Sequence, residues 1–228
     1  MHMKWQCRLV LTLGAMLSLS AASVAGEGMP TAPTAKRVVV LAGHLLDVKA
    51  GLMLTDQAIV IEDNHIVSVG AALEVKPVPG QTTIDLTRAT VLPGLIDVHT
   101  HLTLDDFSEH SALSTSLPRE ALIGAKNARI TLEAGFTTVR DVGANGYTDI
   151  ALRDAIDAGD LVGPRIFASG PPLGITGGHC DNNLLPYEYH DVAGGVADGV
   201  EQVQHKVREI IKYGADLIKF CATGGVMS

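Results

Sequence analysis

The chain has 228 residues and a formal net charge of −8, with 17 Lys and Arg against 25 Asp and Glu. An acidic chain of this kind is poorly suited to binding nucleic acid or anionic membrane through its overall field. Hydrophobic residues at 46% and charged residues at 18% exclude a disordered chain, and 24 glycines with only 4% aromatics suit an α/β protein with many tight turns.

Lys4 and Arg8 precede an apolar run from Leu9 to Leu19, followed by the small residues Ala21, Ala22, Ser23, Val24 and Ala25. These are the three parts of a secretory signal peptide over residues 1–25, with Ser23 and Ala25 suited to the cleavage site. The apolar run is short for a transmembrane helix, an uncleaved anchor being the alternative, and no later segment reads as a span. The expected species is exported, periplasmic or secreted, with no membrane association after cleavage. Cys7 lies in the leader, so the mature chain keeps Cys180 and Cys221. Export permits a disulfide between them, but burial as two small hydrophobes is the commoner fate.

Residues 26–36 read as a linker. From 37 to 93 the pattern is short and β-like: Val38–Leu41, Ala58–Ile61, His65–Val69 and Thr82–Leu86, with a tight hairpin at Asp63-Asn64. This region reads as a small β-sheet module ending at Pro93-Gly94. Strand–helix alternation follows over 94–228. A strand through Gly94–Leu102 leads to a helix over Pro118–Ala134, then to a strand Phe136–Val142 and a helix Tyr147–Ala158. A strand Arg165–Ser169, a long Gly-, Pro- and Asn-rich loop, a helix Val200–Tyr213 and a last strand Ala215–Cys221 complete the series. The fold class is α/β, with about four βα units of a (β/α)₈ barrel, a fold that in full has eight strands and typically ~250 residues.

Within the first of these strands, Asp97, His99 and His101 are spaced two apart, so strict alternation places them on one face. Two imidazoles projecting together can share one metal ion, with Asp97 as an orienting carboxylate. Lys219 lies in the last strand, where burial of an ammonium is costly; pairing with a carboxylate such as Asp97 or Asp141 is the plain structural reading.

Leu92–Leu102, Thr137–Gly143 and Ile218–Ser228 together closely resemble the metal-dependent amidohydrolase superfamily, nearest its imidazolonepropionase-like and Xaa-Pro dipeptidase-like exported branch. The resemblance runs from about Arg37 to the last residue. It implies a β-sandwich beside a (β/α)₈ barrel, with the site at the C-terminal ends of the strands. It implies that His99 and His101 bind a divalent metal, usually Zn²⁺, one or two ions in all. Lys219 would react with CO₂ to give a carbamate that bridges two metals. The implied reaction is hydrolysis of an amide or peptide C–N bond in small dipeptide-like substrates by metal-activated hydroxide. Thr176–Asp181 resembles a Gly-Gly-His-Gly-Asp-like loop with Cys180 in place of Gly, so that His179 either contacts substrate or is a structural loop histidine. Arg140-Asp141 either faces the site or forms a support network, support being favoured.

The family pattern also has two later histidines and a catalytic aspartate for which this sequence offers no matching positions, so the catalytic residue itself is unassigned. Two readings follow: a hydrolase that works within a longer or complemented enzyme, with a C-terminal half or a second copy as partner, and a catalytically inactive, metal-binding fragment.

Overall fold

A computed structural model describes residues 36–105 and 114–225. The signal peptide expected over residues 1–25 and all but the last residue of the 26–36 linker lie outside the described residues. Among those described, no helix is long and apolar enough to cross a membrane.

The first region is one four-stranded sheet built from β1 (Arg37–Asp47), β2 (Leu52–Glu62), β3 (His65–Ala71) and β4 (Thr82–Val91), in the order β3-β2-β1-β4. β1 pairs antiparallel with β2 through a turn in which Asp47 Oδ1 accepts the N–H groups of Lys49 and Ala50. The tight turn at Asp63-Asn64 joins β2 to β3, with Asp63 at a left-handed φ of 55°. β4 returns parallel to β1 on its free edge. Small apolar clusters form on the sheet, one around Val39, Ala58 and Val60 and one around Ala42, Leu45 and Ile59. The two-sheet sandwich expected here is not formed among the described residues. All four strands pair edge to edge in one ladder, and β4 adds width to that sheet instead of starting a second one.

The second region is a parallel sheet of β5 (Leu95–Thr100), β6 (Phe136–Asp141) and β7 (Arg165–Ala168), crossed by α1 (Leu117–Glu133) and α2 (Thr148–Asp157). α1 takes Pro118 in its first turn, where a missing N–H costs nothing, and ends on Gly135 at φ 97°. One face of this sheet is sealed: Val139, Ile166 and Ala168 pack with Ala128, Ile150, Leu152 and Leu102. The other face is open, with Ile96 65%, Val98 55% and Phe167 45% exposed.

The fourth βα unit is incomplete. Helix α3 (Gly199–Lys212) forms as expected, but the segment 215–221 makes only an isolated parallel bridge, Leu173 to Phe220. The reason lies at its entry. Ala168 donates its N–H to the side chain of Asp216 at 2.9 Å, so a carboxylate occupies the position of a ladder carbonyl. Arg153 fixes that carboxylate from the other side at 2.7 Å and also holds the Gly214 carbonyl. Asp216→Ala leaves both Arg153 and the Ala168 N–H short of a partner. A loss of about 1–3 kcal/mol in urea unfolding is expected, with Asp216→Asn retaining part of it.

Candidate metal centre

The centre begins at an irregularity in β5. Asp97 aligns with Val139 and Thr100 with Asp141, so three steps on β5 match two on β6. This is a β-bulge, and it interrupts the strict alternation on which a common face for Asp97, His99 and His101 depends. Asp97 is half-buried and accepts the backbone N–H of His99 at 3.0 Å, so it holds the main chain of the bulge. Arg140 ties the same stretch from β6, donating from Nε to the Val98 carbonyl at 2.7 Å. The Arg140 carbonyl accepts from Thr100 Oγ1.

The two imidazoles do come together. The ring centroids of His99 and His101 lie 5.5 Å apart with the planes at 63°. His101 Nδ1 donates to the carbonyl of Gly143 at 2.9 Å, which places the proton on Nδ1 and leaves Nε2 as the basic nitrogen. Gly143 is closely fitted to this arrangement: a Cβ there would lie 3.1 Å from His101 Cε1 and 3.3 Å from Pro172 Cγ. Burial lowers the proton affinity of His101, against the hydrogen bond to Gly143 and the charge of Asp149, while the positive charges of His99 and Lys219 lower it further. Lys219 is thus among the charges that act on His101.

Lys219 is half-buried and, among the described residues, makes no ion pair. The carboxylates named for it as structural partners are engaged elsewhere. Asp97 holds the His99 N–H, and Asp141 accepts the N–H groups of Leu102 at 2.7 Å and Gly143 at 3.3 Å. The main chain at Lys219 is anchored by Leu173, whose N–H donates to the Lys219 carbonyl at 2.8 Å. His179 lies in the turn between Gly178 and Asp181, and Gly225 rests against its ring so closely that any Cβ at 225 would meet the imidazole. Cys180 and Cys221 are joined in a disulfide across 41 residues, in place of the separate burial expected of them. Tyr187 and Tyr189 are exposed on a 3₁₀ turn, with His190 edge-on to Tyr187.

As a donor set, two imidazoles with ring centroids 5.5 Å apart fit part of a divalent ion's coordination sphere. Among the described residues there is no group of three His, Cys, Asp or Glu side chains able to hold an ion. Beneath the pair lies a buried layer of carboxylates, of which only Asp141 is named from the sequence. Asp141 and Asp149 are fully buried; Asp149 accepts the N–H groups of Gly170 at 2.8 Å and Ile150 at 2.9 Å. Glu120 is also buried and accepts from Asn145 through Oε1. A sequence signal existed for Asp141 alone, as the last polar residue of a strand otherwise bound for the core.

Burial raises the Asp141 carboxyl to about 7; its backbone hydrogen bond from Leu102 opposes the shift, Asp149 adds to it, and the Gly143 N–H opposes it again. The unfolded chain releases this proton near 3.8 whereas the folded chain keeps it to about 7. Raising the pH through that window therefore strips the unfolded state first, and stability falls. Urea midpoints for the native chain are expected to decline from pH 4 to 7 and then level off, and Asp141→Asn should flatten that slope.

Residues 90–228 match the Amidohydrolase family. Ochratoxinase of Aspergillus niger is 36% identical over 213 aligned residues, which cover 85% of this chain and 44% of that protein. Among solved structures, a Xaa-Pro dipeptidase with methionine bound in its active site superposes with a TM-score of 0.77 at 38% identity, over 85% of this chain and 48% of that one. The crystal structure of A. niger ochratoxinase gives a TM-score of 0.72 at 32% identity, over 86% and 49%. The chain thus spans about half the length of the relatives it matches. The family match takes in the two-histidine strand, both helical crossovers and the Lys219 segment, and the chain belongs to the amidohydrolase family.

Proposed function

We propose that this chain supplies the two-histidine part of a metal-dependent centre that hydrolyses the amide C–N bond of small, dipeptide-like substrates. The observation that carries the reading is the hydrogen bond from His101 Nδ1 to the Gly143 carbonyl, with His99 at 5.5 Å. It sets the tautomer in which His101 Nε2 can ligate. When bound, a divalent ion, Zn²⁺ by preference for such donors, polarises a carbonyl and makes water acidic near neutral pH.

The chain's own residues have distinct tasks in this scheme. His99 and His101 hold the ion, and the bulge gripped by Asp97 and Arg140 aims them. Lys219, whose charge acts on His101 and which makes no ion pair among the described residues, would give up a proton and take up CO₂ as a carbamate, offering the ion an anionic ligand. His179 and Arg140 stand as substrate-side groups, although the contacts made by Arg140 also support the strand. The disulfide Cys180–Cys221 supports an exported, oxidising location for the chain.

Zinc content and hydrolysis of an Xaa-Pro dipeptide, measured on the chain and its variants, test the proposal. About one zinc ion per chain is expected, lost in His99→Ala and His101→Ala, with any turnover lost alongside it. Zinc bound equally well without either histidine overturns the reading; zinc bound with no turnover of any amide identifies the silent-fragment alternative. Gly143→Ala pushes the His101 ring off its acceptor, and a zinc affinity lower by roughly 10–100-fold is expected in chelator competition.

A further inference from the structure

We propose that the Cys180–Cys221 disulfide is a clamp that positions Lys219 against the His179 turn, so that the Lys219 side of the centre is assembled only in the oxidised chain. The inference rests on the metal-binding reading of the centre for its functional consequence, and on the main-chain geometry for the clamp itself.

Lys219 lies in the segment where a fourth strand fails to form. Upstream, Asp216 is fastened by Arg153 and by the Ala168 N–H. Downstream, the main chain hydrogen-bonds to Leu173, which donates to the Lys219 carbonyl at 2.8 Å and accepts from the Cys221 N–H at 2.9 Å. Two hydrogen bonds at a single isolated bridge are a weak anchorage, open to local fraying. The disulfide is the next tie along the chain, two residues beyond Lys219, with the Cα atoms 6.1 Å apart.

The other end of the bond is itself well fixed. Cys180 packs on Gly174, where a Cβ would lie 3.0 Å from that of Cys180. Gly174 is held by the Gly195 carbonyl and in turn accepts the Ala197 N–H. Asp181, the next residue, gathers the N–H groups of Gly177, Asn182 and Ala193. The covalent bond therefore couples a loosely bridged segment to a firmly knotted turn. It does so beside a second contact in the same sense, Gly225 lying on the His179 imidazole. Cys180 and Cys221 act here as positioning residues that set where Lys219 and His179 stand.

Opening the clamp needs a dithiol. Its thiolate attacks one sulfur, the S–S bond breaks, and the reductant closes to its own disulfide as the two chain thiols take up two protons.

The test uses the full chain in four forms: oxidised, dithiol-reduced, Cys180→Ser/Cys221→Ser, and reduced then bridged with dibromobimane. Alkylation of denatured, unreduced protein should find no free thiol at either position. Backbone hydrogen exchange at Leu173 and over 219–221 should speed up about tenfold on reduction and in the double variant, and return when the thiols are bridged. Zinc affinity, by chelator competition, should fall about tenfold in the double variant and match the oxidised chain in the bridged form. His99→Ala should lose zinc in every form while keeping the disulfide-dependent exchange, which separates the clamp from the metal reading. Free thiols at 180 and 221, exchange indifferent to reduction, or an effect that bridging does not reverse each overturn the clamp.

Discussion

One buried carboxylate holds the two loops from which the centre is made. Asp141, the last residue of β6, accepts the N–H of Leu102, directly after His101, and the N–H of Gly143, whose carbonyl accepts the hydrogen bond from His101 Nδ1. The histidine and the acceptor that fixes its tautomer are thus set relative to each other through the same side chain. Backbone N–H groups favour the charged carboxylate, yet burial outweighs them and lifts the group to about 7. A second buried acid extends the arrangement: Asp149, at the start of α2, accepts the N–H of Gly170, where the chain leaves β7 for the loop bearing His179. Loops after three successive strands are therefore tied down by two carboxylates in a layer just under the surface.

That layer makes sense of the sheet above it. Helices α1 and α2 seal one face with Val139, Ile166 and Ala168, while Ile96, Val98 and Phe167 leave the opposite face open. The candidate ligands lie at the C-terminal ends of the parallel strands, the end at which such sheets place their sites. The bulge in β5 completes the arrangement. It breaks the pleat between Asp97 and Thr100, which turns Asp97 into a main-chain support and frees the two imidazoles to face each other.

Local rules made much of this legible. Helices α1, α2 and α3 and the turn at Asp63-Asn64 follow from apolar periodicity, from Pro and Gly at helix ends, and from a residue tolerant of positive φ. The misses have one cause in common, a partner distant in sequence. The facing sheet was inferred from resemblance, but β4 pairs in parallel along β1 and widens the same sheet. The last strand has a β-like sequence, but the Asp216 side chain, held by Arg153, takes the ladder position at Ala168. Strict alternation in β5 fails because register is set by β6.

What the sequence by itself determined is the choice of candidate donors and the rhythm of the elements that carry them: His99, His101 and Lys219, on or beside alternating strands and helices. Residue type and short-range spacing suffice for that, because ligand chemistry and helix or strand periodicity are local properties. Tertiary structure alone decided which nitrogen of His101 carries the proton, that burial lifts the Asp141 carboxyl to about 7, and that Cys180 meets Cys221. Each of these depends on groups brought together across some 40 residues of chain, and no local pattern encodes such a meeting.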